Sequence, residues 1–443
     1  MKKEESSIIT ADEIRGQYKK FIGRKIFFIF LFIVLIVGIT GVSTSLGSAD
    51  LTVWDAYSSI LRKPFPNTFE SEYLFTWDDV PGSDSERLLL YLSDGYGIGW
   101  AEDAEISKSD DGRTISIVND ENSATITLDE RDENKAELKI AGGKSENLEV
   151  KEKNGELHIH ESTWLVDVCV WNLRLPRIFL AILAGICLGL AGGIMQWALK
   201  NPLASPYTLG ISSVAACGTS FVIIFGFGYI GGKFAIIGVA FIFTLIATAI
   251  ILYISSRRWA TPKRVVLLGI VMIVLSGAMT VQFRQFGAAE NVKAAVFWIS
   301  GDLNRASWDV LPYMAGTIVL CAILLFLPVV LPPLFGADER HTRTYAMVVA
   351  SLLVATTVCF TGTIGFIGLL APHICRPVIG DDHRFLILVS GLVGAVLLLV
   401  SDLVARTVIS PVIIPVGWVT AVIGVPFIGY LLLRKGIRAV GAT

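Results

Sequence analysis

The sequence predicts an all-α polytopic membrane protein of about ten transmembrane helices, with a small β-rich extracytoplasmic domain inserted between the first and second spans. Three observations lead to this prediction. The 443 residues are 53% hydrophobic, which is more than a soluble chain of this length carries. Apolar runs long enough to cross a bilayer core recur along the chain. One interval, residues 64–162, is instead polar, acidic and free of cysteine.

Ten apolar runs are the candidate spans. The backbone of a segment in lipid must satisfy its own hydrogen bonds, so each run is predicted to be a helix. Valine and isoleucine are frequent in these runs, but their length favours helices over strands. The runs cover about 26–46, 178–199, 207–227, 234–254, 265–283, 310–335, 345–361, 364–379, 385–405 and 413–433.

Basic residues indicate the orientation of these spans. Residues 64–162 hold 24 acidic and 9 basic residues, whereas the rest of the chain holds 28 basic and 15 acidic residues. With the N-terminus inside, most of those 28 bases fall on the cytoplasmic side, as the positive-inside rule favours. We therefore predict a cytoplasmic (inner) membrane location, two cytoplasmic termini and an extracytoplasmic insert at 64–162. The polar stretch before the first run is typical of a retained anchor.

The insert has the alternating apolar and polar pattern of half-buried strands. Asn154-Gly155 lies between two such segments, and a two-residue turn there places Val150 opposite Ile159. The insert is long enough for a modest hydrophobic core. The sequence therefore predicts a small antiparallel β domain between the first two spans.

No metal and no cofactor is predicted for this chain. His158 and His160 fall on one strand face beside Glu161, which could supply half of a metal site. Two exposed strand histidines are the simpler interpretation. The six cysteines lack the spacing of a metal or redox site, and we interpret them as small apolar packing residues.

Charged residues at the ends of two apolar runs form the first candidate site. Arg174 and Arg177 precede the second span, and Arg406 ends the ninth. Arginine at the end of a transmembrane span often has no role beyond extending its charged group to the membrane interface. Asp402 lies within an apolar run and needs a partner there. Because Arg406 is one helical turn away, we predict that Asp402 orients Arg406.

Glycines follow one face of the second span. Glycines four residues apart let helices approach closely, as packing in lipid requires. Close packing is therefore the first interpretation, and the lining of a transport path is the alternative if this helix faces a dimer axis. These glycines are Gly185, Gly189, Gly192 and Gly193.

Four ordered motifs make the chain resemble a known family. They are Arg174-Leu175-Pro176-Arg177, Asn201-Pro202-Leu203-Ala204, Gly365-Phe366-Ile367-Gly368-Leu369 and Ala371-Pro372-His373-Ile374. With them, the chain resembles the FecCD-type permease subunits of ABC importers for iron–siderophore, haem and cobalamin. The resemblance covers about 26–63 and 163–443, and it leaves the insert unaccounted for.

The resemblance implies the organisation of the chain. Residues 1–63 would hold the cytoplasmic N-terminus, the first span and a short outer helix, followed by the insert at 64–162. Residues 163–443 would form the permease core with about nine transmembrane helices. It implies a non-enzymatic subunit in the lipid bilayer that moves a metal chelate by alternating access. The partners would be a second copy, two ATP-binding subunits and an extracytoplasmic substrate-binding protein, with no nucleic acid.

The resemblance also implies roles for single residues. Arg174, Arg177 and Arg406 would face acidic side chains of the binding protein, since guanidinium and carboxylate groups pair in two parallel hydrogen bonds. Gln196, Asn201 and Pro202 are candidates for the path or inner gate. The coupling loop toward the ATPase would be centred on a stretch that lacks the second half of the family pattern. Its candidate residues are Gly336, Asp338, Glu339, Arg340 and Arg343.

Two other classes of function stay open at this point. An ion-coupled secondary transporter needs several acids in the middle of the membrane, and only Asp402 comes close to that position. A membrane sensor with an extracytoplasmic domain needs a cytoplasmic output domain, and no predicted cytoplasmic stretch is long enough for one. An ATPase that co-purifies with the chain would decide between a secondary transporter and an ABC importer.

Overall fold

The computed structural model divides the chain into two compact units. The first comprises Met1–Leu51 and Asn172–Thr443, and the second comprises Thr52–Trp171. The second unit includes the predicted insert and the segments that flank it. The residues described are 11–47, 53–62, 73–86, 88–89, 92, 104–118, 123–129, 135–140, 144–153, 156–161, 164–255, 257, 261–330, 339–380, 382–410 and 412–440.

The described part of the first unit is mostly helical, and the second unit contains the helix Val53–Arg62. A short helix, Trp164–Asp167, and a π-helical turn, Val168–Arg174, precede the long helix that begins at Leu175. In chain order the helices are α1 (Ala11–Ser45), α2 (Val53–Arg62), α3 (Leu175–Ala198), α4 (Ile211–Ile224), α5 (Phe227–Ser255), α6 (Pro262–Arg284), α7 (Ala289–Ile299), α8 (Leu311–Val330), α9 (Glu339–Thr361), α10 (Ile367–Ile379), α11 (His383–Thr407) and α12 (Val416–Val440).

Six described segments are long and apolar enough to cross a membrane. They are Ile22–Ser45, Val168–Ala198, Ala235–Ser255, Lys263–Arg284, Thr342–Thr361 and His383–Thr407. Four further apolar helices are shorter than a typical bilayer crossing, namely Ile211–Ile224, Leu311–Leu324, Ile367–Ile379 and Val416–Tyr430. The ten segments fall on the ten predicted apolar runs. The count of ten spans nevertheless stays a prediction, because four segments do not reach the required length.

Helix α7 was not predicted from the sequence. Helix α7 lies between the fifth and sixth predicted runs and has 11 residues. Glu290 and Lys293 interrupt its apolar residues, so it does not form an apolar run. Its Trp298 and Ala295 are buried, and therefore α7 is part of the packed bundle.

Helix α3 lies at the centre of the first unit, packed against α9, α10 and α11. Its glycines make this packing close. A Cβ atom at Gly185 would lie 2.5 Å from the Gly394 carbonyl oxygen, and one at Gly189 would lie 2.1 Å from the Ser390 carbonyl oxygen. These distances are far below van der Waals contact. The predicted packing role of the glycine stripe is therefore confirmed for these two positions.

The second unit contains a seven-stranded antiparallel sheet in its described residues. The strands occur in the spatial order β1-β7-β6-β5-β4-β3-β2, so that β1 and β2 are the edges. The strands are β1 (Tyr73–Thr76), β2 (Glu105–Lys108), β3 (Thr114–Val118), β4 (Ser123–Leu128), β5 (Lys135–Ile140), β6 (Lys144–Lys153) and β7 (Glu156–Glu161).

One face of this sheet is apolar and buried. Alternate residues of the central strands, such as Ile117, Ile126 and Leu138, pack into one cluster with Trp77, which follows from the period-two side-chain alternation of a strand. The predicted pairing of Val150 with Ile159 is confirmed by the register of β6 and β7. The predicted turn at 154–155 lies outside the described residues.

Candidate functional site

Two arginines share one buried carboxylate in the first unit. Arg177 Nε lies 2.6 Å from Asp402 Oδ1, and Arg406 Nε lies 3.0 Å from Asp402 Oδ2. Asp402 is fully buried, and each arginine is 4% exposed. The pair of Asp402 and Arg406 was predicted from their spacing along α11. The contact with Arg177 was not predicted, because α3 and α11 are distant in sequence.

Two arginines also cap the end of α1. Arg174 Nη1 donates to the carbonyl oxygens of Thr44 and Ser45 at 2.6 and 2.8 Å. Arg406 Nη2 donates to the Ser43 carbonyl at 3.2 Å and to the Ser43 hydroxyl, and its Nη1 donates to the Leu46 carbonyl at 3.3 Å. The last carbonyls of a helix have no partner within it and carry a partial negative charge. The two guanidinium groups therefore stabilise the C-terminal end of α1.

The loop between α7 and α8 lies beside Arg177. Arg177 Nη1 donates to Asn304 Oδ1, and the Asn304 amide donates to Asp302 Oδ1 at 2.9 Å. The Asp302 amide donates to the Thr361 carbonyl at 2.8 Å and ties the loop to the end of α9. Burial raises the pKa of Asp302 above its ordinary value, while the Asn304 amide and the Arg177 charge act in the opposite direction.

We call Arg174, Arg177, Arg406 and Asp402 the guanidinium cluster. The structure brings together all four residues that the sequence placed at the mouth of the predicted path. It also directs the three arginines inward, onto Asp402, Asn304 and the end of α1, rather than onto the surface of the chain. Docking of a partner on these arginines stays a prediction, and it now requires some part of this cluster to move.

The predicted path residues lie at the other end of α3. Gln196 is buried; its Oε1 accepts from Arg376 Nη2 at 3.2 Å, and its backbone carbonyl accepts from the Asn201 amide at 3.1 Å. Asn201 and Pro202 belong to the non-helical stretch after α3, where proline cannot continue a helix. Gln196 thus joins α3 to α10, and its role in a path stays a prediction.

The predicted coupling residues are described only in part. Gly336 and Asp338 lie outside the described residues. Glu339 and Arg340 begin α9, where the structure describes their backbone alone. Arg343 lies over the Trp197 ring at 5.7 Å from its centroid, so the start of α9 contacts the end of α3. Contact with an ATPase stays a prediction for all five.

Lys25 and Asp382 form a further ion pair, which the sequence did not indicate. Lys25 Nζ lies 2.6 Å from Asp382 Oδ2, with the lysine side chain 1% exposed and the aspartate 37% exposed. Asp382 also accepts from the Arg384 amide at the N-terminus of α11. The hydrogen bond from Lys25 lowers the pKa of Asp382. This pair joins α1 to the start of α11, as the arginines join it to the end.

We expect Lys25→Gln to lower the stability of the chain by about 1–2 kcal/mol, because a hydrogen bond to a charged group contributes about 1.5–3 kcal/mol and Asp382 recovers water when the lysine is lost. Thermal unfolding of the detergent-solubilised chain measures this effect. The exposed Lys263 provides a matched control, Lys263→Gln, with no expected change.

The pH dependence of this effect has a defined sign. Since the pKa of Asp382 is below its ordinary value of 3.8, the contribution of the pair is present above that value and is lost as the pH falls through the lowered pKa. The difference between the wild type and Lys25→Gln should therefore shrink in that acidic range. A difference that grows there would contradict the assignment.

The described residues include no cluster of side chains of the kind that binds a metal ion. Within the described ranges, no group of three His, Cys, Asp or Glu side chains converges on a position that could hold one. His158 lies 3.5 Å from the Thr76 hydroxyl and 3.9 Å from a carboxylate oxygen of Glu156. The absence of a bound cofactor stays a prediction.

Long apolar helices, joined at their ends by buried polar contacts, define a polytopic membrane protein. The chain belongs to the FecCD transport family, whose sequence profile matches residues 151–330 and 332–434. This match confirms the family expected from the four motifs. It begins within the second unit and continues through most of the described first unit.

Individual relatives agree with this assignment. A chain of Methanocaldococcus jannaschii named as an ABC transporter permease protein is 40% identical over 289 residues, which cover 61% of this chain and 82% of the relative. The cobalamin import system permease protein BtuC of Halobacterium salinarum is 37% identical over 288 residues, covering 62% and 75%. Other relatives are permeases named for hemin or siderophore transport.

A solved structure shares the fold. It is an inward-facing conformation of a metal-chelate type ABC transporter, and it aligns with a TM-score of 0.54 at 28% identity. The alignment covers 61% of this chain and 89% of the solved chain. The aligned part of this chain therefore has the fold of that transporter chain.

Proposed function

We propose that this chain is the permease subunit of a binding-protein-dependent ABC importer that translocates a metal chelate by alternating access. The single observation that carries the proposal is the FecCD profile match over residues 151–330 and 332–434. Membership of the family and the named activities of the relatives support transport rather than catalysis. The chain itself makes and breaks no covalent bond, and ATP is hydrolysed on separate subunits.

The assembly we propose contains two copies of this chain, two ATP-binding subunits and an extracytoplasmic binding protein. ATP binding shifts the dimer between inward-facing and outward-facing states, because each partner has a different affinity for each state. The chain lies in the cytoplasmic membrane with both termini inside and the second unit outside. The distribution of basic residues supports this orientation.

The substrate class is a ferric siderophore, haem or cobalamin. The relatives are named for different members of this class. Membership of the family therefore does not identify which chelate this chain transports. Bulky chelates of this kind are delivered by a binding protein rather than captured directly by the permease. A direct uptake measurement is therefore needed to assign one of them.

The test uses the chain co-expressed with a candidate ATP-binding subunit and a candidate binding protein, reconstituted in proteoliposomes. We expect ATP-dependent uptake of one labelled chelate among ferric siderophore, haem and cobalamin, and none without the binding protein. Uptake driven by an ion gradient in the absence of the ATPase would instead identify a secondary transporter. Ligand binding to the second unit without any uptake would identify a sensor.

A further inference from the structure

Helix α2 has one apolar side and one polar side. At 3.6 residues per turn, its apolar and aromatic residues fall on one continuous side, and Ser58 and Ser59 fall on the other. The residues of the apolar side are Val53, Trp54, Ala56, Tyr57, Ile60 and Leu61. An amphipathic helix on a soluble protein turns its apolar side to the core and its polar side to water.

The burial of α2 is the reverse of that pattern. Val53 and Trp54 are 61% and 70% exposed and Tyr57 is 38% exposed, whereas the Ser58-Ser59 pair is buried. On the apolar side only the small Ala56 is fully buried. The protein therefore covers the polar side of this helix and leaves its largest aromatic side chain uncovered. We call Val53, Trp54 and Tyr57 the α2 apolar face.

A contact within the second unit places α2 beside the beginning of a membrane span. The Trp171 indole N–H donates to the Ser59 carbonyl oxygen at 3.0 Å, and Trp171 belongs to the first turn of the apolar segment Val168–Ala198. In sequence, α2 follows the end of α1 after residues 46–52 alone. Helix α2 is therefore held at the depth where this span enters the bilayer, which is where tryptophan and tyrosine are enriched in membrane proteins.

We propose that the α2 apolar face lies in the outer interface of the lipid bilayer and anchors the second unit to the membrane surface. Lipid is the partner that fits this face, because a stable protein interface buries about 1,200–2,000 Å² and three side chains offer much less. An interfacial helix needs only an apolar side that enters the boundary between headgroups and acyl chains. This inference goes beyond the proposed function, since it concerns how the second unit is attached rather than what is transported.

Photo-crosslinking from single positions tests the assignment. The full chain carrying Trp54→p-benzoylphenylalanine is reconstituted in vesicles of phosphatidylcholine and phosphatidylglycerol and irradiated, and its adducts are identified by mass spectrometry. We expect phospholipid adducts in a yield similar to that of the same substitution at Phe30, which is 65% exposed in the first span. Thr127 is exposed on the sheet, and the same substitution there is the negative control, with no lipid adduct expected.

Tryptophan fluorescence provides a second readout that needs only a conservative substitution. The emission lost in Trp54→Phe relative to the wild type is the contribution of Trp54. Phospholipids brominated near the headgroup should quench this difference signal several-fold more strongly than phospholipids brominated near the ends of their acyl chains.

Three results would overturn the inference. They are crosslinks from residue 54 to a second copy or to an added candidate binding protein in place of lipid, no lipid adduct at residue 54 where residue 30 gives one, and a difference signal that headgroup-proximal bromine does not preferentially quench. Neither measurement uses ATP or a transported chelate. A negative result would therefore leave the proposed transport function untouched.

Discussion

Asp402→Asn should lower the stability of the chain by about 3–5 kcal/mol, the usual cost of breaking a buried ion pair by removing one partner. The carboxylate bridges Arg177 and Arg406 through its two oxygens. Asparagine has nearly the same shape, but it carries no charge, and its amide hydrogens would face one of the two guanidinium groups. Two buried positive charges would then lose their shared counter-charge.

The same substitution at an exposed aspartate serves as the control. It shows how much of the effect comes from the position of Asp402 rather than from replacing aspartate with asparagine. Asp309 is exposed in the loop before α8, and Asp309→Asn is expected to stay within about 0.5 kcal/mol of the wild type, as is usual for surface positions. Thermal unfolding of both variants in detergent, followed by the loss of monodisperse protein, makes the comparison. Equal midpoints for the two variants would show that Asp402 does not hold the cluster together.

The local parts of this fold could be predicted from the sequence. Apolar length identified all of the described long helices, because a lipid-facing backbone leaves no alternative to a helix. Period-two alternation and one turn signal placed Val150 opposite Ile159, since antiparallel register follows from the turn. Helix α7 was not predicted, because charged residues interrupt the apolar residues among its 11. A helix that packs through only a few side chains does not produce a long apolar run.

The side-chain contacts of the site could be predicted only within one helix. Asp402 and Arg406 are four residues apart, and that spacing alone placed them together. Arg177 is 225 residues from Asp402 in sequence, and a single sequence holds no signal for such a contact. The carbonyl groups at the end of α1 are backbone acceptors, which every residue carries. Sequence analysis therefore found the arginines but could not show that the chain itself occupies them.

Gly192→Ala should destabilise the bundle more than any other alanine substitution in the glycine stripe of α3. A Cβ atom at Gly192 would lie 1.8 Å from the Gly368 carbonyl oxygen, whereas real Cβ atoms essentially never come within 3.0 Å of another heavy atom. The obstacle is backbone at the start of α10, which cannot rotate away as a side chain can. Overpacking of this kind costs about 1–3 kcal/mol and occasionally more, and we expect the upper end of that range.

Alanine substitutions at two other glycines should lower the stability of the chain less than Gly192→Ala does. At Gly193 the nearest atom to a new Cβ is Ile387 Cα at 3.2 Å, so a small adjustment suffices and Gly193→Ala should cost less. Gly277 in α6 has nothing within 4 Å, and alanine there should be neutral or stabilising by up to about 1 kcal/mol through its higher helix propensity. Unfolding midpoints in the order Gly277→Ala, Gly193→Ala, Gly192→Ala from highest to lowest are expected. Equal midpoints for the Gly192 and Gly277 variants would mean that α3 and α10 are not in backbone contact, and the central packing of the bundle would then be wrong.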